Sequence, residues 1–146
     1  MKLLFSTPIS KSSEEIKEGF NKELFQFLSP GWIPFRILRF DGCKKGDEVH
    51  IKLGLDGLSQ DWVSLITFEE TNASGWSFVD EGKVLPWPLI YWKHHHRVDR
   101  ITAIESKIVD DITFECSPAF LAPLIKPFLW SVFAFRPHRY KKYFKD

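Results

Sequence analysis

Hydrophobic positions along this chain change their period twice. Ile16, Phe20, Leu24 and Phe27 recur at steps of four, four and three, which places them on one face of a helix. Ser12 and Glu15 stand ahead of it at capping-box spacing, and Pro30-Gly31 closes it. A short strand and then one helix are therefore predicted for the first thirty or so residues. From there to about residue 117 the period is two. Val49, Ile51, Leu53 and Leu55 alternate with His50, Lys52 and Gly54; Trp62, Ser64, Ile66 and Phe68 form a second set; Trp76 and Phe78 follow. Trp92, His94, His96 and Val98 share one strand face, and Ser106, Ile108, Asp110, Ile112 and Phe114 make the last alternating run. Turn residues cluster at 42–46, 56–57 and 71–75, so consecutive strands pair antiparallel. After Pro118 the helical period returns in Leu121, Ile125, Phe128, Val132 and Phe135, widened by Leu124 and Leu129. Pro123 and Pro127 suit a first turn, so the regular helix is expected to start near 124–127. Pro137 would clash with the carbonyl of Phe133, which predicts a kink or break. Strand, helix, about six strands and a long helix make an α+β domain with the last helix on one sheet face.

Composition changes one part of this picture. The 146 residues are 44% hydrophobic, ordinary for one globular domain, but they include 14 Phe, 6 Trp and 3 Tyr. That aromatic share excludes disorder. So many rigid rings must crowd a small core or line something hollow. No repeat or linker divides the chain, and residues 1–146 are read as a single domain.

Charge narrows the partners. With 20 bases against 19 acids, the net charge of +1 gives no field that would recruit nucleic acid. The longest apolar run, from Val84 to Trp92, contains two prolines, so no stable membrane insertion is expected. Cys43 and Cys116 lack CxxC spacing and read as free thiols. With no signal-peptide pattern at the start, a cytoplasmic location is expected.

Several segments together carry a family resemblance. The strand Trp92-Lys93-His94-His95-His96-Arg97-Val98 resembles the W-x-H-x-H-x-hydrophobic strand of bacterial SRPBCC (START-like) ligand-binding proteins. Phe78-Val79-Asp80 resembles their upstream F-V-D, Asp110 with Ile112 and Phe114 their D-x-V-x-Y, and the approach to Phe135-Arg136 their closing helix. The element order agrees along nearly the whole chain. Trp87-Pro88-Leu89 departs from the pattern by lacking a glycine before the proline, and Pro137 is unusual in the closing helix. The resemblance implies a helix-grip fold. A curved antiparallel sheet of about six to seven strands would wrap around a long C-terminal helix, with an apolar cavity between them and a short helical segment after the first strand. It also implies a small hydrophobic ligand such as a lipid or polyketide. Some relatives are cyclases, but no catalytic set carries over.

The candidate chemistry follows from strand geometry. His94 and His96 leave the same face about 7 Å apart. Asp110 shares a face with Ile108 and Ile112, so it should point inward and need a partner there. One reading makes His94, His96 and Asp110 polar anchors for a ligand in a greasy cavity; the other makes them a structural network that fixes strand register. Candidate walls are Ile51, Leu53, Trp76, Phe78, Trp92, Ile108, Ile112 and Phe114 from the sheet, with Leu121, Ile125 and Phe128 from the helix. H-x-H can also supply two metal ligands, but a third is not obvious beyond Asp110. Arg100 stands where a cupin-type acid would be, so no metal and no cofactor are expected. No nucleophile motif occurs. If the chain is an enzyme, acid–base work by the same histidines would suit a cofactor-free cyclase or dehydratase. A third possibility is an interaction module whose cavity its own aromatics fill. The basic, aromatic tail from Arg139 to Lys145 reads as the solvated end of a helix whose cations offset its dipole, and Arg136 as a brace against acidic strand ends.

Overall fold

A computed structural model describes all residues, 1–146. Seven strands form one antiparallel sheet: β1 (Lys2–Ile9), β2 (Phe35–Phe40), β3 (Glu48–Leu53), β4 (Gln60–Asn72), β5 (Gly75–Val84), β6 (Leu89–Thr102) and β7 (Glu105–Cys116). The order across the sheet is β1-β7-β6-β5-β4-β3-β2, so β2 to β7 meander and β1 closes the far edge against β7. Register shifts interrupt the β2/β3, β4/β5 and β6/β7 ladders. Such bulges bend strands and raise the local twist, which gives the sheet its concave face. The β4–β5 turn requires glycine at 75. Its φ is +131°, and a Cβ there would fall 1.9 Å from the carbonyl oxygen of Val98.

The first helical region is two helices, not the single one the periodicity predicts. They are α1 (Ser13–Glu18) and α2 (Lys22–Leu28). The capping box of Ser12 and Glu15 forms as expected. Gly19 then ends α1, and the Asn21 side chain accepts from the Leu24 amide to start α2. The break lets the ring of Phe144 sit against Gly19, where a side chain would collide with it. Ile16 and Leu24 are fully buried, while Phe20, on the break, turns toward the interior of the sheet.

At the C-terminal end a 3-10 turn (Ala119–Leu121) leads into α3 (Ala122–Ala134) and α4 (Arg136–Tyr143). The break falls at Phe135, where Pro137 predicts it. Two expectations need correction. The helix starts at Ala122, ahead of 124, because Pro123 occupies its first turn and only Pro127 lies inside. The buried face is also rotated: Ala122, Leu129, Phe133, Arg136 and Tyr140 face the sheet, while Leu124, Phe128 and Phe135 are exposed. Periodicity alone cannot choose between two stripes on a helix that is apolar nearly all round. By length and composition the stretch Ala119–Tyr143 could cross a membrane. In the fold it breaks at Phe135 and buries Arg136 against β7.

The tail is likewise only half solvated. Tyr140 is completely buried, Arg139 donates to the carbonyl of Phe27 at 2.8 Å, and Tyr143 donates to Asn21 Oδ1 at 3.3 Å. Lys141, Lys142 and Lys145 remain exposed. Cys43 and Cys116 are free thiols.

Candidate functional site: a cavity walled by an aspartate–histidine cluster

A cavity of about 440 Å³ lies between the concave sheet, α2, α3 and α4. That volume is within the range typical of small-molecule sites, roughly 300–1,000 Å³. The chain's own aromatics line this space and leave it open, which corrects the alternative of a filled interior. The cavity runs from buried His94 and Tyr140 to exposed Leu58, Trp87 and Phe128. Of the expected wall residues, Ile51, Leu53, Phe78, Trp92, Ile125 and Phe128 line it, as do His94 and His96.

The other expected wall residues do not line it. Ile108, Ile112 and Phe114 lie in the packed core beneath the C-terminal helices, because those helices cover β7 and its sheet neighbour β1. Trp76 packs in the core beside Phe20. Leu121 packs against the cluster around Phe114. Asp110 is buried behind the histidines rather than on the wall. The strand period identified the correct sheet face, but that face is filled at one end and hollow at the other.

Three adjacent strands build the polar cluster. Asp80 on β5 lies directly across from His94 on β6, and Asp110 on β7 lies directly across from His96. The hydrogen bonds are diagonal. His94 Nε2 donates to Asp110 Oδ1 at 2.9 Å, and His96 Nε2 donates to Asp80 Oδ2 at 2.8 Å. The two imidazoles stack with centroids 3.5 Å apart and span the gap between the carboxylates like parallel bars. Each ring's other nitrogen faces the opposite acid: His94 Nδ1 is 3.7 Å from Asp80 Oδ2, and His96 Nδ1 is 3.6 Å from Asp110 Oδ1. Trp92 Nε1 donates to Asp80 Oδ1 at 3.1 Å. Phe78 stacks on His96 at 4.3 Å.

The two ends of the cluster differ. At Asp110, Arg136 Nη1 stands 3.5 Å away and the Tyr140 hydroxyl donates at 3.3 Å. Arg136 also lies over the ring of Phe133. It therefore braces the middle of β7 instead of a strand end. At Asp80 there is no cationic side chain, and that end opens on the cavity.

Environment sets the charge states. Burial pulls the Asp110 carboxyl up, but the His94 hydrogen bond and the Arg136 charge outweigh it and hold it well below the usual carboxylate range. Burial also raises Asp80, and the hydrogen bond from His96 with the neighbouring imidazoles brings it below its ordinary value. Burial, reinforced by His96, lowers His94 to about 4, so its imidazole is neutral near pH 7. Burial and Asp110 push the Tyr140 phenol far up, so it stays a donor. Cys43 lines the cavity, but burial and the charge of Asp80 push its thiol up to about 12. It is no thiolate at neutral pH.

Asp80, Arg136 and Tyr140 were not among the expected site residues. Asp80 had a signal, since it ends the Phe78-Val79-Asp80 segment and its strand position pairs it with His94. Arg136 and Tyr140 are four apart on a helix and so share a face. Only the break at Phe135 shows which face that is.

No protein-family model matches the sequence, and no curated protein matches it. Solved structures do share the fold. Norcoclaurine synthase from Thalictrum flavum superposes with a TM-score of 0.64 at 12% identity, over 87% of this chain and 82% of that one. An aromatase/cyclase, Zhui, from a Streptomyces gives 0.58 at 11%, over 80% and 68%. A START superfamily protein from Mycobacterium smegmatis gives 0.56 at 13%, over 94% and 97%. The architecture is thus the helix-grip fold of START-like (SRPBCC) proteins.

Proposed function

We propose that this START-like, helix-grip chain binds a small hydrophobic molecule whose polar end meets Asp80, His94 and His96. The observation that carries the reading is an open, largely apolar cavity with one polar cluster on its wall. The groups that face the cavity are acceptors: the Asp80 carboxylate, and the free Nδ1 of a neutral His94 whose Nε2 hydrogen is committed to Asp110. The polar end they suit is a donor, such as a hydroxyl or phenol, on an apolar body. Octylphenol serves as a probe. It should bind the metal-free protein in a one-to-one complex, more tightly than octanoate, whose carboxylate would meet Asp80. Asp80→Asn should narrow that preference. Equal affinity for both probes in the wild type, or no binding of either, would overturn the reading.

The same cavity supports a second reading, acid–base catalysis by His94 on a bound substrate. Its specific observation is the Asp110–His94 hydrogen bond, which orients an imidazole with its Nδ1 on the cavity side. The synthase and aromatase/cyclase that share the fold are what make a synthase- or cyclase-type reaction worth assaying. A rate with a bell-shaped pH profile, lost in His94→Ala, would support catalysis. Binding without turnover of aromatic polyketide-like substrates would leave the binding reading alone.

A further inference from the structure

We propose that Asp80, His94 Nδ1 and His96 Nε2 form a site for one divalent transition-metal ion at the wall of the cavity. The proposal deepens the ligand-binding reading and depends on it only for the use of the ion's open positions.

The first support is the placement of donors. One oxygen of Asp80 and one nitrogen of each histidine lie within 4.8 Å of one another. Asp80 Oδ2 is 2.8 Å from His96 Nε2 and 3.7 Å from His94 Nδ1. Neighbouring ligands around a tetrahedral ion with bonds near 2.1 Å sit about 3.4 Å apart, between those two distances. The Nδ1 lone pair of His94 faces the Asp80 carboxylate with no hydrogen between them, because the ring's hydrogen is on Nε2. Two acceptors facing each other in a buried place call for a cation.

The second support is independent and lies at the other end of the rings. His96 Nδ1 and Asp110 Oδ2 are both buried without a hydrogen-bond partner. If a metal takes His96 Nε2, the ring's hydrogen moves to Nδ1, which faces Asp110. Both histidines would then present an N–H toward one buried carboxylate, the arrangement that orients metal-bound imidazoles. Asp110 would be the positioning residue, already held by Arg136 and Tyr140.

Charge balance is the third. The one guanidinium, Arg136, stands at the Asp110 end, and no cationic side chain stands at the Asp80 end. Two imidazoles and a carboxylate suit zinc or ferrous iron, not calcium or magnesium. Binding would open the stacked rings, which now incline at 28°. The remaining coordination positions would face the cavity, where a ligand's oxygen could reach them.

The test is titration of chelator-treated, folded protein with Co²⁺ and Zn²⁺. One equivalent of Co²⁺ should give visible d–d absorption that Zn²⁺ displaces. Asp80→Asn and His96→Ala should abolish it, Asp110→Asn should weaken affinity roughly 10–100-fold, and His138→Ala, at an exposed histidine on α4, should change nothing. Imidazole-nitrogen NMR of the wild type, which needs no variant, should show Zn²⁺ shifting one nitrogen of each of His94 and His96. With zinc bound, octanoate should gain at least about tenfold in affinity. No saturable one-equivalent binding, binding that survives Asp80→Asn, or loss in His138→Ala would overturn the metal site. If octylphenol still binds the metal-free protein in those cases, the ligand-binding reading stands without it.

Discussion

The concave face of the sheet is solid at one end and hollow at the other. Where β1, β6 and β7 meet α3 and α4, Ile112, Phe114 and Tyr140 are completely buried, and Ile108 nearly so. Where β2, β3 and β4 curve away, Val49, Leu53 and Trp62 are only partly buried and face the cavity. Both ends draw on the same supply of aromatic and branched residues. The difference is the helices: α3 and α4 pack on β1 and β7 and do not reach the far strands. Stability should therefore concentrate at the solid end and ligand recognition at the hollow one, with the Asp80–His94–His96–Asp110 cluster at the seam.

The largest expected effect is at the solid end. Phe114→Ala should cost about 3–5 kcal/mol in chemical denaturation, because its neighbours cannot collapse into the space. A loss below about 1 kcal/mol would erase the distinction between the ends. Next is the seam. An imidazole in the unfolded chain titrates near 6.5, whereas His94 is held at about 4. Between those values the unfolded state takes up a proton that the folded state refuses. Metal-free protein should thus lose roughly 3 kcal/mol of stability as pH falls from about 6.5 to about 4. The depressed carboxyl of Asp110 acts in the same direction at lower pH: its contribution is present above its unfolded value and lost in stronger acid. Stability that stays level from pH 7 to pH 4 would contradict the assigned burial of His94.

The hollow end should respond in the opposite sense. Val49→Phe puts a ring into open space, so stability should change by less than about 1 kcal/mol while octylphenol affinity falls at least about tenfold. The smallest effect is expected for Leu53→Ala, below about 1 kcal/mol, since a side chain facing a void has few atoms across from it to lose. A cost comparable to Phe114→Ala would mean that this end is packed too.

Much of this was legible in the residues. Alternation placed Trp92, His94, His96 and Val98 on the inner face of β6, and Asp110 on the inner face of β7. Pro137 predicted the break between α3 and α4. What stayed hidden was the difference between the ends, because alternation says which face a residue takes and not what lies opposite. Ile112 and Ile51 look alike in sequence; one meets a helix and the other a cavity. The helical stripe failed for a related reason. Phe128 and Phe133 are equally apolar, and only docking decided that Phe133 goes inward. Asp110 was the only partner for the histidines considered from a neighbouring strand, whereas register also sets Asp80 of β5 across from His94.

Native mass spectrometry of the wild type beside Val49→Phe tests the central claim most directly. With octylphenol present, the wild type should carry one molecule per chain and Val49→Phe none, both remaining folded. Equal occupancy of the two proteins, or none in either, would contradict a ligand-binding cavity at the hollow end of the sheet.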